Sequence, residues 1–171
     1  MLNARRAKNH YPLINAEGGT ENCTWVSVAA LLANGERVTT EMLYARLKEQ
    51  NITVSKGPTS RTTLLKAART LGDIDVRSID GKYTELSEND VPQRKSFAVG
   101  VLIPGETESL AHRIVGYYDG DWYRFTDWQE APLPGEEARC IGDDVTGKVK
   151  GWHITYVFWF TSIFNSIAPL A

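Results

Sequence analysis

The sequence predicts an α+β fold, with helices in the first half of the chain and a mostly antiparallel sheet in the second. Between Cys23 and Leu71 the apolar residues recur at helical spacing, whereas from Ile74 to Phe160 they alternate or form short β-branched and aromatic runs. Helices first and strands afterwards is the order expected when helices pack beside a sheet instead of alternating with its strands. The size agrees: 171 residues, 42% hydrophobic and 23% charged, suit one domain with a sizeable core. The expected organisation is a single unit over 1–171, with an N-terminal segment at 1–19 and a C-terminal tail at 161–171.

Each element has its own signal. From Cys23 to Ala33 the residues Trp25, Val26, Val28, Ala29, Leu31 and Leu32 cover most faces, the pattern of a buried helix, and Asn34-Gly35 ends it. A second helix opens at Thr39 or Thr40 and carries Met42, Leu43 and Leu47. After the turn Lys56-Gly57-Pro58 a third begins near Ser60, places Leu64, Leu65, Ala68 and Leu71 on one face, and stops at Gly72. Ile74 and Val76 then alternate with Asp75 and Arg77. Strands follow at Phe97 to Ile103, His112 to Tyr118, Trp122 to Phe125 and Trp152 to Phe160. Turns at Gly105, at Asp119-Gly120 and in the acidic stretch from Pro132 to Asp144 separate them.

Composition excludes several functions. A net charge of -2 gives no electrostatic case for nucleic acid, and Arg5, Arg6 and Lys8 read as a solvated tail. The charge-free run from Trp152 to Ala171 is interrupted by His153, Thr155, Thr161, Ser162, Asn165, Ser166 and Pro169, so it reads as a last strand plus tail, with no membrane partner. Cys23 and Cys140 make no disulfide framework, which points to a reducing, cytoplasmic setting. Two cysteines and three scattered histidines have no metal-ligand spacing, and no phosphate loop is present; neither a metal nor a cofactor is expected.

The residues that suggest chemistry are few. With Asn22 as cap, Cys23 falls in the first helical turn, where free N–H groups and the helix dipole favour a thiolate. A cysteine heading an apolar helix is also an ordinary core residue, and the segment alone does not separate the two. A nucleophile needs a base. His10 lies in a polar segment, His153 interrupts a strand, and His112 opens one directly after a loop, a rigid place from which to aim an imidazole. His112–Tyr118 and Trp122–Phe125 form a hairpin turning at Asp119-Gly120, so Asp127 returns close to His112. A carboxylate there can hold the imidazole tautomer. Asp119 and Asp121 sit at the turn, the far end.

The order of a cysteine at a helix start, a histidine on a strand and an aspartate one hairpin later resembles papain-like cysteine peptidases. It is most similar to picornavirus leader proteases of the aphthovirus type, while nidovirus papain-like proteases share the plan less closely. The resemblance rests on Asn22-Cys23 opening an apolar helix, Lys56-Gly57-Pro58 before a later helix, the strand and loop from Phe97 to His112, and Trp122-Tyr123-Arg124-Phe125-Thr126-Asp127. The His-to-Asp separation, 127 − 112 = 15, agrees as well. Short motifs between Asn22 and Phe160 carry it. It implies a helical lobe bearing the nucleophile helix, a sheet lobe, and a cleft between them, with Cys23, His112 and Asp127 as a catalytic triad. It further implies that Gly57 and Pro58 border the substrate and that Trp128 shields the His112–Asp127 bond, although a plain turn and a packed aromatic explain these equally well. The chain departs from the pattern at Thr24, which stands before Trp25 where a tryptophan often follows the nucleophile directly. The positions expected to hold an oxyanion donor carry Gly18 and Glu17, which leaves the Cys23 N–H with Asn22, Thr20 or another backbone N–H.

The resulting expectation is a thiol protease acting on protein or peptide substrates. By resemblance it frees itself from a viral polyprotein at its own C-terminal junction, and cleaves host translation or ubiquitin-like proteins in the host cytoplasm. A bacterial papain-fold effector and an inactive papain-like binding module are the alternatives.

Overall fold

The computed structural model describes residues 22–33, 38–55, 57, 59–105, 110–129 and 143–164. Among these residues three helices come first: α1 (Cys23–Ala33), α2 (Thr40–Glu49) and α3 (Arg61–Leu71). The starts of α2 and α3 are set by side chains that satisfy otherwise unpaired backbone donors. Thr39 Oγ1 accepts the Met42 N–H at 3.3 Å, and Ser60 Oγ accepts the Thr63 N–H at 3.2 Å. At the other end of α3 the Gly72 N–H bonds to the Ala68 carbonyl, and the chain runs straight into a strand.

The sheet comprises β1 (Gly72–Gly81), β2 (Ser96–Ile103), β3 (Leu110–Tyr118), β4 (Tyr123–Asp127), β5 (Asp143–Asp144) and β6 (His153–Ile163). A short 3₁₀ turn, Tyr83–Glu85, follows β1, and α4 (Thr146–Val149) lies between β5 and β6. Strand order is β1-β6-β2-β3-β4-β5, with each neighbouring pair antiparallel. The last strand is therefore inserted between the first two.

The two faces of the sheet are both buried, by different parts of the chain. On one face α1 lies across β3, β2 and β6, and Trp25, Val28, Leu64 and Ala67 join Ala98, Val115, Phe158 and Phe160 in one core. On the other, Phe97, Val99, Ile114, Phe125, Ile154 and Val157 pack with Val145 and Val149 from around α4. Each fully buried Phe or Leu contributes about 1.5–3 kcal/mol by leaving water. Alternate residues of β2 and β6 go to opposite cores, which is why these strands read as nearly unbroken apolar runs.

The expected α+β architecture and all the expected helices and strands are present. Several boundaries shift. β3 begins at Leu110, so His112 is its third residue and does not open it, and β4 spans Tyr123–Asp127 where Trp122–Phe125 was expected. Two shifts are larger. Thr161–Ile163, assigned from sequence to the 161–171 tail, continue β6: Ser162 pairs with Asp73 and Ile163 with Gly72, and Ser162 Oγ bonds Asp73 Oδ2 at 2.8 Å. The start of β1 offers these backbone groups partners that the sequence pattern does not reveal. The acidic stretch expected as a turn as far as Asp144 ends in β5, paired with β4 through Asp127↔Asp143 and Thr126↔Asp144. No helix among the described residues is long and apolar enough to cross a membrane.

Candidate active site

The start of α1 is held from two sides. The Asn22 carbonyl accepts the Trp25 and Val26 N–H groups, each at 3.0 Å, which places Cys23 in the first turn as expected. Asn22 itself is 1% exposed, and its Oδ1 accepts from Gln129 Nε2 at 3.1 Å, tying α1 to the segment after β4. Close by on α1, the buried Trp25 donates its indole N–H to the Ser55 carbonyl at 2.9 Å and so fixes the loop that carries Gly57.

His112 and Asp127 come from the hairpin. Asp119 Oδ1 accepts the N–H groups of Asp121 and Trp122 at 2.8 and 2.9 Å, and Gly120 takes φ +108°, a conformation that favours glycine. The turn sets the register Tyr118↔Tyr123 through Val115↔Thr126. The next residues bring His112 Nε2 to 2.6 Å from Asp127 Oδ2, with the two side chains only 13% and 23% exposed. Asp127 Oδ1 accepts the Gln129 N–H at 2.9 Å, so both carboxylate oxygens are held.

Cys23 meets this pair. The half-buried thiol stands beside His112 and the Arg113 backbone, near enough for both to act on its ionisation. Burial alone would raise the thiol pKa, but the His112 hydrogen bond and charge, with the Arg113 N–H and charge, bring it below its ordinary value. For His112 burial works against the charged form; the hydrogen bonds and charges of Asp127 and Cys23 outweigh it and raise the pKa to about 9. The two shifts run in the directions that favour a thiolate–imidazolium pair.

Of the other residues singled out in the sequence, Gly57 is described, and its backbone groups are engaged locally. Its N–H donates to Ser55 Oγ at 3.3 Å and its carbonyl accepts from Thr59 Oγ1 at 3.1 Å. Trp128 is partly buried and packs against the core on the helical face. His153 bonds Asp80 on the exposed margin of the sheet, at 2.8 Å. Pro58, Cys140, His10, Glu17, Gly18 and Thr20 lie outside the described residues.

Sequence reasoning missed Gln129, Arg113, Tyr156 and Arg61. Gln129 had a usable signal, standing two residues after Asp127 on the strand end that returns to α1. Tyr156 and Arg61 had none, because strand order brings Tyr156 near Cys23 and helix placement sets Arg61 against the Tyr156 ring. Among the described residues, no cluster of His, Cys, Asp and Glu side chains has a metal-binding arrangement. No family model matches the chain, and no curated protein matches it.

Proposed function

We propose that the protein is a papain-like thiol hydrolase that cleaves peptide bonds. The observation that carries this reading is the enclosed His112–Asp127 bond at 2.6 Å with Cys23 beside it, where the thiol pKa is lowered and the imidazole pKa raised. Neither a structural cysteine nor a merely packed histidine requires a largely enclosed partner of opposite charge.

The cycle follows from these groups. The Cys23 thiolate attacks the substrate carbonyl carbon, a C–S bond forms, and the carbonyl electron pair moves to oxygen. The Cys23 N–H, bonded to no acceptor among the described residues, stands at the helix start to receive that oxyanion. Asn22 is the side chain proposed as second donor; Gln129 holds its Oδ1, so donation would come from Nδ2. When the intermediate collapses, the C–N bond breaks and the leaving amine takes the His112 proton. His112 then removes a proton from water, which hydrolyses the thioester and restores the thiolate–imidazolium pair. Asp127 keeps the ring oriented throughout and stabilises the imidazolium whenever His112 is protonated.

The similarity to leader proteases extends the proposal to self-release from a polyprotein and cleavage of host proteins. A chain extended past Ala171 would then be cut near that residue in a Cys23-dependent manner, and an intact product would remove this extension without touching the hydrolase reading. The central test is alkylation with iodoacetamide at pH 6. Cys23 should react well ahead of free cysteine, and His112→Ala should abolish the difference. Reaction no faster than free cysteine would end the activated-thiol reading.

A further inference from the structure

The helical face of the sheet changes character from one row to the next. The row under α1 is apolar: Val76, Phe158, Ala98 and Val115 stand side by side across β1, β6, β2 and β3. One step toward Cys23, on the same face, the row becomes Ser78, Tyr156, Gly100 and Arg113.

Gly100 makes this second row work. A Cβ at that position would sit 2.1 Å from Tyr156 Cε1, so only the absence of a side chain lets the tyrosine ring lie across β2. The Tyr156 hydroxyl then accepts from Arg113 Nε at 2.7 Å. From the other side, the Arg61 guanidinium, at the start of α3, lies 4.6 Å from the centre of the Tyr156 ring and donates from Nη2 to Ser78 Oγ at 3.0 Å. Arg113 directly follows His112 on β3, against which α1 packs, so the row begins beside the catalytic groups.

Two partly buried guanidiniums thus face one tyrosine, and no carboxylate among the described residues pairs with either. Each guanidinium has five donors, of which these hydrogen bonds use one. The remaining donors form a fork suited to a carboxylate. We propose that Arg113 and Arg61, set across Tyr156, form a subsite for an acidic side chain of the substrate within two residues of the cleaved bond. The reach follows from the backbone: Arg113 is the residue after His112 on β3, and two extended substrate residues span about 7 Å. This proposal rests on the peptidase reading for its substrate, but its charge can be measured independently.

The first measurement compares alkylation of Cys23 by iodoacetate, an anion, with iodoacetamide, its neutral counterpart. The His112 imidazolium contributes to that ratio, so the variants decide. Arg61→Gln should lower the iodoacetate-to-iodoacetamide ratio by about three- to ten-fold, with the iodoacetamide rate little changed. Arg113→Gln should lower the ratio and slow both reagents, because the Arg113 charge also acts on the Cys23 thiol. The second uses quenched fluorescent peptides carrying Glu or Gln at each of the two positions on either side of the cleaved bond. At one position Glu should give about ten-fold higher kcat/KM than Gln, and Arg61→Gln should remove that preference. If Arg113→Gln does not fold, Arg61→Gln serves alone, since its contacts are with Tyr156 and Ser78 and not with Cys23. Unchanged ratios in a folded Arg61→Gln variant, or equal cleavage of Glu and Gln peptides at every position, would overturn the subsite. Variant-dependent ratios without cleavage of any peptide would keep the carboxylate site and overturn the peptidase reading.

Discussion

The sheet carries two histidine–aspartate pairs of similar length in different settings. His112 and Asp127 lie 2.6 Å apart with side chains 13% and 23% exposed, whereas His153 and Asp80 lie 2.8 Å apart at 43% and 95% exposure. Distance does not distinguish them. In the open pair water screens the attraction, and such pairs contribute little to stability or to the behaviour of either group. In the enclosed pair the carboxylate acts through a lower dielectric, its other oxygen is held by the Gln129 N–H, and the Cys23 thiol also acts on the ring. A histidine–aspartate contact becomes a candidate proton-transfer site through enclosure and a third group, not through the contact itself.

The histidines test that contrast most directly. His112→Ala should lower kcat/KM on a cleavable peptide by about a thousand-fold or more, while His153→Ala stays near wild type. Equal losses would mean that the two settings are equivalent after all.

The aspartates give the next largest effect. Asp127→Asn should cost about a hundred-fold in kcat and move the Cys23 alkylation profile to higher pH, because His112 loses the group that keeps it charged. Asp80→Asn should leave both unchanged. A structural role for Asp127 would lower folded yield without moving the alkylation profile.

The pH dependence probes the enclosed pair without any substitution. The folded His112 pKa is raised to about 9, so the imidazolium that protonates the leaving amine persists through neutral pH and is lost above that value. Hydrolysis should therefore fall on the alkaline side near pH 9. On the acid side it should fall only below the ordinary thiol range, because the Cys23 pKa is lowered. A profile that rises continuously from about pH 7 to about pH 10 would indicate a thiol with an ordinary pKa and no working imidazolium.

Gln129 should give the smallest effect. Gln129→Ala removes the bond to Asn22 Oδ1 and keeps the backbone N–H to Asp127, so it should cost about 1 kcal/mol, or about five-fold in kcat/KM. Rescue by Gln129→Asn is not expected, since the shorter side chain cannot span a 3.1 Å contact set for glutamine. A loss as large as that of Asp127→Asn would show that Gln129 acts on the reacting groups directly.

The legible parts of this molecule are those encoded over short distances. The helices Cys23–Ala33, Thr40–Glu49 and Arg61–Leu71 follow from apolar period and, for the last two, from Thr39 and Ser60 as caps. The meeting of His112 and Asp127 is also local, because the Asp119-Gly120 turn fixes a hairpin register and register alone returns Asp127 to His112. The elements Asp143–Asp144 and Thr146–Val149 are not legible: two and four residues are too short to show a period. The last three residues of β6 escape notice because polar Thr161 and Ser162 read as tail, while their backbone partners lie on β1.

The order of helices and strands, the buried character of α1 and the pairing of His112 with Asp127 are thus all written in residues close together along the chain. The meeting of Cys23 with that pair is not, since 112 − 23 = 89 positions separate it from His112. Nor is the entry of β6 between β1 and β2, which aligns Ser78, Tyr156, Gly100 and Arg113 in one row. Local patterning specifies which face of an element is buried, whereas the choice of neighbour is made when the completed elements pack together.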